Sequence, residues 1–163
     1  MNQIGDATPA GRPLIIPIFI PHMGCPHRCI FCSQHTITGK ASTAPTGDQI
    51  QQEVCQFLKY GRRPPSTTQI SFFGGNFLGL DQDSILSLLE TAVHFVHAKK
   101  VDSIRFSTRP DTVDEKTLDL LEGYPVSTVE LGVQSMNDRI LEIAGRGHRA
   151  TDTVAAARLL KER

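Results

Sequence analysis

Three of the four cysteines lie within eight residues of one another, in the segment GCPHRCIFCSQH (24–35). Cys25, Cys29 and Cys32 have the spacing C-x3-C-x2-C, which lets one loop fold around a single metal centre. Three thiolates at this spacing suit a tetrahedral zinc ion with a histidine as fourth ligand, or a cubane iron–sulfur cluster with one iron left open. The neighbouring histidines that can complete a zinc site are His22, His27 and His35. The residues alone leave both centres open.

The composition limits the kinds of protein to which such a centre can belong. The chain has 163 residues, of which 39% are hydrophobic, enough for one domain with a core. Seventeen basic residues balance seventeen acidic ones, so the overall charge gives no argument for binding nucleic acid or a membrane surface. The N-terminus lacks a secretory signal pattern, and the apolar run LIIPIFIP is too short to span a bilayer. We therefore expect a cytoplasmic protein whose reduced cysteines serve metal or redox chemistry.

Apolar periodicity predicts four strand–helix units that must position these cysteines. The run LIIPIFI (14–20) is typical of a buried strand, and Pro17 places it at a sheet edge or bulge because proline cannot donate to a strand ladder. Thr46 and Gln49 form a predicted capping box that begins the first helix. Further strands are predicted at 69–76, 103–111 and 127–135, and further helices at 82–98, 114–124, 137–145 and 151–163. This alternation predicts an α/β fold with a parallel sheet, in a domain over 13–163 that follows a flexible lead-in over 1–12.

Chemically distinctive residues follow every predicted strand. Cys25 follows the first strand, Gly74–Asn76 end the second, Ser107–Asp111 end the third and Gln134–Ser135 end the fourth. The carboxyl ends of parallel strands lie at one edge of the sheet, where α/β proteins hold their ligands. We therefore expect all four segments to contribute to one site.

The segment GCPHRCIFC after an apolar strand resembles the signature of the radical S-adenosylmethionine (radical SAM) superfamily, in which an aromatic residue, here Phe31, precedes the third cysteine. The segments FFGGN, STRPD, ELGVQS and RGH follow in the order found in relatives of the Elongator catalytic subunit and of oxygen-independent coproporphyrinogen oxidase. The resemblance covers about residues 13–163 and implies a partial (β/α)6 barrel, similar to a TIM barrel. Since only four strand–helix units are predicted, the chain is expected to be a truncated radical SAM core.

The resemblance also implies the cofactors. Cys25, Cys29 and Cys32 would hold three irons of a 4Fe–4S cluster, and the fourth iron would bind the amino and carboxylate groups of SAM. One electron from the reduced cluster would cleave SAM to a 5′-deoxyadenosyl radical that acts on the substrate. A reductant such as flavodoxin or ferredoxin is therefore an expected partner.

Other residues match cofactor-binding positions of the family. Gly74 and Gly75 would meet the methionine amino group through backbone atoms, because glycine allows a close approach, and Asn76 would offer its amide carbonyl. Arg109, beside Ser107, would clamp the SAM carboxylate, which suits a guanidinium geometrically. The resemblance thus assigns the ends of the second and third strands to SAM.

The end of the fourth strand extends this assignment. Gln134 and Arg146 have the twelve-residue spacing of two polar SAM contacts in the coproporphyrinogen oxidase relatives, with Gln134 expected at the ribose. Glu130 is interpreted as a structural carboxylate, and His148 as a local hydrogen-bonding residue. Cys55, within the first helix, is interpreted as a partly buried, inert thiol.

The branch of the family is suggested by Phe19, which stands six residues before the first cysteine, where the coproporphyrinogen oxidases have a tyrosine. Porphyrin chemistry is therefore not expected. Elongator-like relatives modify the tRNA wobble uridine, so tRNA is the substrate class that the resemblance implies. Two alternatives stay open, namely an inactive fragment that binds only the cluster and a zinc-stabilised module. An open barrel edge also predicts self-association.

Overall fold

The computed structural model describes residues 12–20, 23–32, 43–60 and 66–163, so most of the predicted lead-in lies outside the described residues. A parallel sheet of four strands, in the order β1-β2-β3-β4, organises the fold. The predicted α/β fold is therefore confirmed, and β1 lies at a sheet edge, as Pro17 requires. The strands are β1 (Leu14–Phe19), β2 (Thr68–Phe73), β3 (Ser103–Thr108) and β4 (Val126–Leu131).

Five α-helices accompany these strands within the described residues. The predicted capping box is confirmed, because the Gln49 N–H donates to Thr46 Oγ1 at 3.3 Å and the Thr46 N–H donates to Gln49 Oε1 at 2.8 Å. The short helix after β3 ends earlier than predicted, and turn residues follow it up to Gly123. No described helix is long and apolar enough to cross a membrane. The helices are α1 (Gly47–Lys59), α2 (Gln82–His97), α3 (Glu115–Asp119), α4 (Asp138–Ile143) and α5 (Ala150–Glu162).

One face of the sheet forms the hydrophobic core with the helices, and an aromatic stack anchors the segment after β2 to it. Phe77, in a 3-10 turn at Phe77–Gly79, stacks on Phe106 with ring centroids 4.5 Å apart and on Phe72 with centroids 5.3 Å apart. All three rings are buried, and burying a phenylalanine contributes about 1.5–3 kcal/mol. The stack therefore holds the turn that follows Gly74–Asn76 against the core.

The opposite face of the sheet is polar across β2, β3 and β4. Gln69 Nε2 donates to Ser127 Oγ at 2.8 Å, and Arg105 donates to Gln69 Oε1 at 3.2 Å. Arg105 also forms an ion pair with Glu130, whose other carboxylate oxygen accepts from Ser107 Oγ at 2.9 Å. This row of hydrogen bonds positions Ser107 and Glu130 at the carboxyl ends of their strands.

Candidate functional site

The cysteine loop follows β1 and passes directly against the turn after β2. Gly24 has a φ of +71°, and a Cβ atom there would lie 2.2 Å from the Asn76 carbonyl oxygen and 2.7 Å from the Gly79 carbonyl carbon. The Asn76 N–H donates to the Met23 carbonyl at 2.9 Å, and its side-chain amide donates to the Gly24 carbonyl at 2.7 Å. Cys25 is therefore placed by a backbone contact that only glycine permits.

The amide of Asn76 joins this loop to the end of β3. Asn76 is fully buried, and its Oδ1 accepts from the Arg109 N–H at 2.9 Å and from the hydroxyls of Thr108 and Thr112 at 2.8 and 3.0 Å. Three donors already occupy the amide carbonyl that was expected to meet SAM, and Asn76 does not line the cleft described below. Asn76 thus braces the segments beneath the site, and its contact with SAM stays a prediction.

The loop after α4 packs against the other side of the cysteine loop. The Ile30 N–H donates to the Ala144 carbonyl at 3.1 Å. Gly147 has a φ of +71°, and a Cβ atom there would lie 2.2 Å from Nε2 of His27. The imidazole of His27 therefore packs on a glycine of the RGH segment. His22 and His35, the other candidate zinc ligands, lie outside the described residues.

These segments enclose a cleft of about 330 Å³ at the carboxyl ends of the strands. Every residue predicted from the sequence for the site lines it, except Asn76. The predicted residues in its wall are Cys25, Cys29, Phe31, Cys32, Gly74, Gly75, Ser107, Arg109, Gln134 and Arg146. The sequence reasoning did not predict Arg28, Thr108, Leu131 and Gly132 as lining residues. It named His27 only as a candidate zinc ligand and interpreted Glu130 as structural. Of these, Gly132 had a detectable signal, because it directly follows a strand in the ELGVQS segment.

The three thiols of the loop face this cleft with different exposures. Cys29 is buried, whereas Cys25 and Cys32 are half-buried. Burial raises the pKa of the Cys25 thiol, and the nearby guanidinium of Arg109 partly offsets that rise. Cys55, which lies on α1, is half-buried, as predicted, and does not line the cleft.

The separation of the thiols bears on which centre they suit. Within the described residues, no three side chains of histidine, cysteine, aspartate or glutamate lie close enough to hold one metal ion. A tetrahedral zinc ion with bonds of about 2.3 Å would require sulfur atoms only about 3.8 Å apart. In an iron–sulfur cubane each thiolate binds a different iron, so its sulfur atoms lie farther apart. The three thiols line one cleft, and either centre would bind them as thiolates.

The comparison with protein families shows the family of the chain. The sequence profile of the Radical SAM superfamily matches residues 19–163. The chain belongs to the radical SAM superfamily. The match includes the cysteine loop, the carboxyl ends of β2, β3 and β4, and the RGH segment.

Individual relatives agree with the Elongator-like resemblance. A tRNA uridine(34) acetyltransferase of Dehalococcoides mccartyi is 23% identical over 176 residues, covering 90% of this chain and 38% of the relative. A tRNA-2-methylthio-N(6)-dimethylallyladenosine synthase of Shewanella baltica is 31% identical over 146 residues, covering 85% of this chain and 30% of the relative. The radical SAM chain thus spans about a third of the length of these relatives.

Solved structures share the fold of the radical SAM chain. The archaeal Methanocaldococcus infernus Elp3 with an N-terminal deletion gives a TM-score of 0.59 at 20% identity, covering 90% of this chain and 34% of that one. A cobalamin-dependent S-adenosylmethionine radical enzyme, with aqua-cobalamin and S-adenosylmethionine bound, gives a TM-score of 0.58 at 17% identity, covering 88% of this chain and 22% of that one. At these identities the likeness establishes the fold alone.

Arg109 is held rigidly in the wall of the radical SAM cleft. Its guanidinium is buried and makes two hydrogen bonds of 2.9 Å to the carboxylate of Asp111. It also donates to the carbonyl of Arg146, which connects the end of β3 to the loop after α4. Asp111 in turn lies 4.0 Å from Nδ1 of the buried His148. The salt bridge to Asp111 therefore fixes the orientation of the Arg109 guanidinium.

Gln134, Gly74 and Gly75 line the radical SAM cleft at positions where the backbone is strained or tightly packed. Gln134 has a φ of +64°, a conformation that glutamine seldom adopts and that costs about 1–3 kcal/mol. Cβ atoms on Gly74 and Gly75 would lie 2.2 Å from the Phe19 ring and 2.6 Å from the Met23 carbonyl oxygen. Packing against the end of β1 and the cysteine loop therefore explains why both positions are glycine, without any contact with SAM.

Proposed function

We propose that the chain binds a 4Fe–4S cluster through Cys25, Cys29 and Cys32, binds SAM in the adjacent cleft and acts as a radical SAM enzyme on tRNA. The observation that carries the proposal is the convergence of three thiols, in the loop after β1, and the ends of β2, β3 and β4 on one cleft. Membership of the radical SAM superfamily supports both cofactors. When bound and reduced, the cluster supplies the electron that cleaves SAM to a 5′-deoxyadenosyl radical.

The protein's own residues bind, orient and shield the reactants. Arg109, beside Ser107, is proposed to hold the SAM carboxylate, and Asp111 orients the Arg109 guanidinium before SAM arrives, so little ordering is needed on binding. Backbone atoms of Gly74 and Gly75 are proposed to meet the amino group. The exposed ring of Phe31 lies in the cleft wall, where it would exclude water from the bound cofactors.

Gln134 is proposed to bind the SAM ribose. Its side chain lines the cleft and is carried by a residue with positive φ. Strained backbone conformations gather at ligand-binding sites, where the surrounding structure maintains them. Asn76 is proposed as a positioning residue, because its amide holds the cysteine loop and the end of β3 in place.

Anaerobic reconstitution with iron and sulfide tests the cofactor assignment. The wild-type chain should bind about four irons with the visible absorption of a 4Fe–4S cluster, and each single change Cys25→Ala, Cys29→Ala or Cys32→Ala should abolish it. Cys55→Ala is the matched control, because this half-buried thiol lies on α1 away from the cleft, and it should keep the full cluster. Stoichiometric zinc in a colourless protein, or equal behaviour of all four variants, would refute the ligand assignment.

Catalysis is tested separately from cluster binding. With dithionite as reductant and SAM added, the reconstituted chain should release 5′-deoxyadenosine, measured by chromatography. Since the chain spans about a third of its relatives, cluster binding without SAM cleavage would show that this segment holds the cofactor but does not by itself catalyse the reaction.

The substrate class rests on the relatives. Both act on tRNA by name, and they differ in the modification they make, so we propose tRNA as the substrate class and leave the modified atom open. Unmodified tRNA should bind the reconstituted protein in a filter-retention assay and should increase 5′-deoxyadenosine release. No binding at low salt, where phosphate contacts are strongest, would refute tRNA as the substrate of this segment.

Further partners follow from the same function. We propose a flavodoxin or ferredoxin as the electron donor and the cytoplasm as the location, since a reduced cluster requires a reducing compartment. Self-association through an open barrel edge stays a prediction from the sequence, and light scattering at increasing protein concentration measures it.

A further inference from the structure

The buried guanidinium of Arg146 has no acidic partner among the described residues. Arg146 is 7% exposed, and no described carboxylate lies within ion-pair distance of it, whereas Arg109 is paired with Asp111 and Arg105 with Glu130. The residues outside the described ranges contain a single carboxylate side chain, that of Asp6. A buried cation without a counter-charge is strongly unfavourable, so a negative charge from another source is needed.

The atoms around Arg146 show where that negative charge belongs. One terminal nitrogen donates to Sγ of Cys29 at 3.3 Å, and the other donates to the carbonyl of Gly132. The Nε atom is buried without a hydrogen-bond partner. The carbonyl bears no net charge, but the sulfur of Cys29 becomes a thiolate when it binds iron. The guanidinium thus lies beside an atom that acquires negative charge when the centre forms.

We propose that Arg146 is the counter-charge of the iron–sulfur cluster, donating a hydrogen bond to the ligand sulfur of Cys29 and raising the reduction potential of the cluster. This inference rests on the proposed function. Reduction adds a negative charge to the cluster, and a fixed positive charge beside a ligand sulfur stabilises the more negative state. Hydrogen bonds to the sulfur atoms are among the features that set the potentials of such clusters. The role adds to the SAM contact expected for Arg146, since each terminal nitrogen has a second N–H that these two bonds do not use.

The test is a redox titration of the reconstituted chain without SAM, followed by electron paramagnetic resonance. Arg146→Gln removes the charge and should lower the equilibrium constant for cluster reduction about tenfold, the effect of one hydrogen bond to a charged group, equivalent to about 59 mV for one electron. Arg146→Lys keeps the charge and should shift the constant less. Arg28→Gln is the matched control, because Arg28 is exposed in the wall of the same cleft, and it should keep the wild-type value.

The outcomes separate this inference from the proposed function. Absence of a cluster in the wild-type chain would refute the proposed function itself. A wild-type potential in Arg146→Gln, or an equal shift in Arg28→Gln, would overturn the role of Arg146 while leaving the cluster assignment intact. If Arg146→Gln folds but loses the cluster, Arg146→Lys should retain it with a lowered potential. Loss of the cluster or of the fold in both Arg146 variants would show that Arg146 has only a structural role, and it would overturn the proposal.

Discussion

The amide of Asn76 connects three segments of the site, so the change Asn76→Ala should loosen all of them. The side chain donates to the Gly24 carbonyl at 2.7 Å and accepts from the Arg109 N–H and from the hydroxyls of Thr108 and Thr112. The two hydroxyls lie 3.1 Å apart and can bond to each other, but the buried Arg109 N–H would lose its partner. Leaving the Arg109 N–H buried without a partner costs about 1–3 kcal/mol, and losing the partly exposed bond to the Gly24 carbonyl costs about 1 kcal/mol. We therefore expect Asn76→Ala to lower the free energy of unfolding by about 2–4 kcal/mol.

Urea denaturation followed by circular dichroism measures this loss, and Asn137→Ala is the matched control. Asn137 is the exposed N-cap of α4, where the same change should cost about 1 kcal/mol. Iron content after reconstitution should fall in Asn76→Ala, because the Gly24 carbonyl directly precedes Cys25, and should stay at the wild-type level in Asn137→Ala. The reasoning is refuted if both variants lose the same stability and both bind a full cluster.

Two further predictions concern groups that the fold holds in unfavourable states. Gln134→Gly should raise the free energy of unfolding by about 0.5–1 kcal/mol, because glycine adopts a φ of +64° without strain, while SAM binding measured by calorimetry should weaken. Lower stability in that variant would contradict the backbone argument. Burial is the main reason that the pKa of His148 lies below its ordinary value of 6.5, and the nearby guanidinium of Arg146 lowers it further. As the pH falls, the unfolded chain therefore binds a proton at His148 more readily than the folded chain does. The stability should therefore fall as the pH drops below about 6.5, and His148→Gln should flatten this dependence in urea titrations, whereas an unchanged slope would contradict the assignment.

The order of strands and helices was predictable because it depends on local patterns. Apolar runs bounded by proline and glycine predicted all four strands, and the capping box at Thr46 predicted the start of α1. The ends of elements were less predictable. β3 stops at Thr108 rather than 111 because a 3-10 turn begins at Pro110, and the strand pattern alone does not register that turn.

The sequence by itself determined the chemistry available to the site. The spacing of Cys25, Cys29 and Cys32 and the placement of polar residues after each strand predicted which segments meet, because parallel strands must present their carboxyl ends at one edge. These features depend on neighbours along the chain and on the alternation of the backbone, and both can be recognised without coordinates.

Only the tertiary structure decided how the site is held together. Arg146 and Cys29 are 117 residues apart in the chain, yet their side chains form a hydrogen bond. The burial of Asn76 and the clashes that a Cβ atom would meet at Gly74 and Gly147 are likewise contacts between distant segments. Such contacts depend on the angles at which loops leave the sheet and on the order in which side chains fill the space between them. Spacing in the sequence carries no information about either, so the bracing role of Asn76 could be recognised only from the packing.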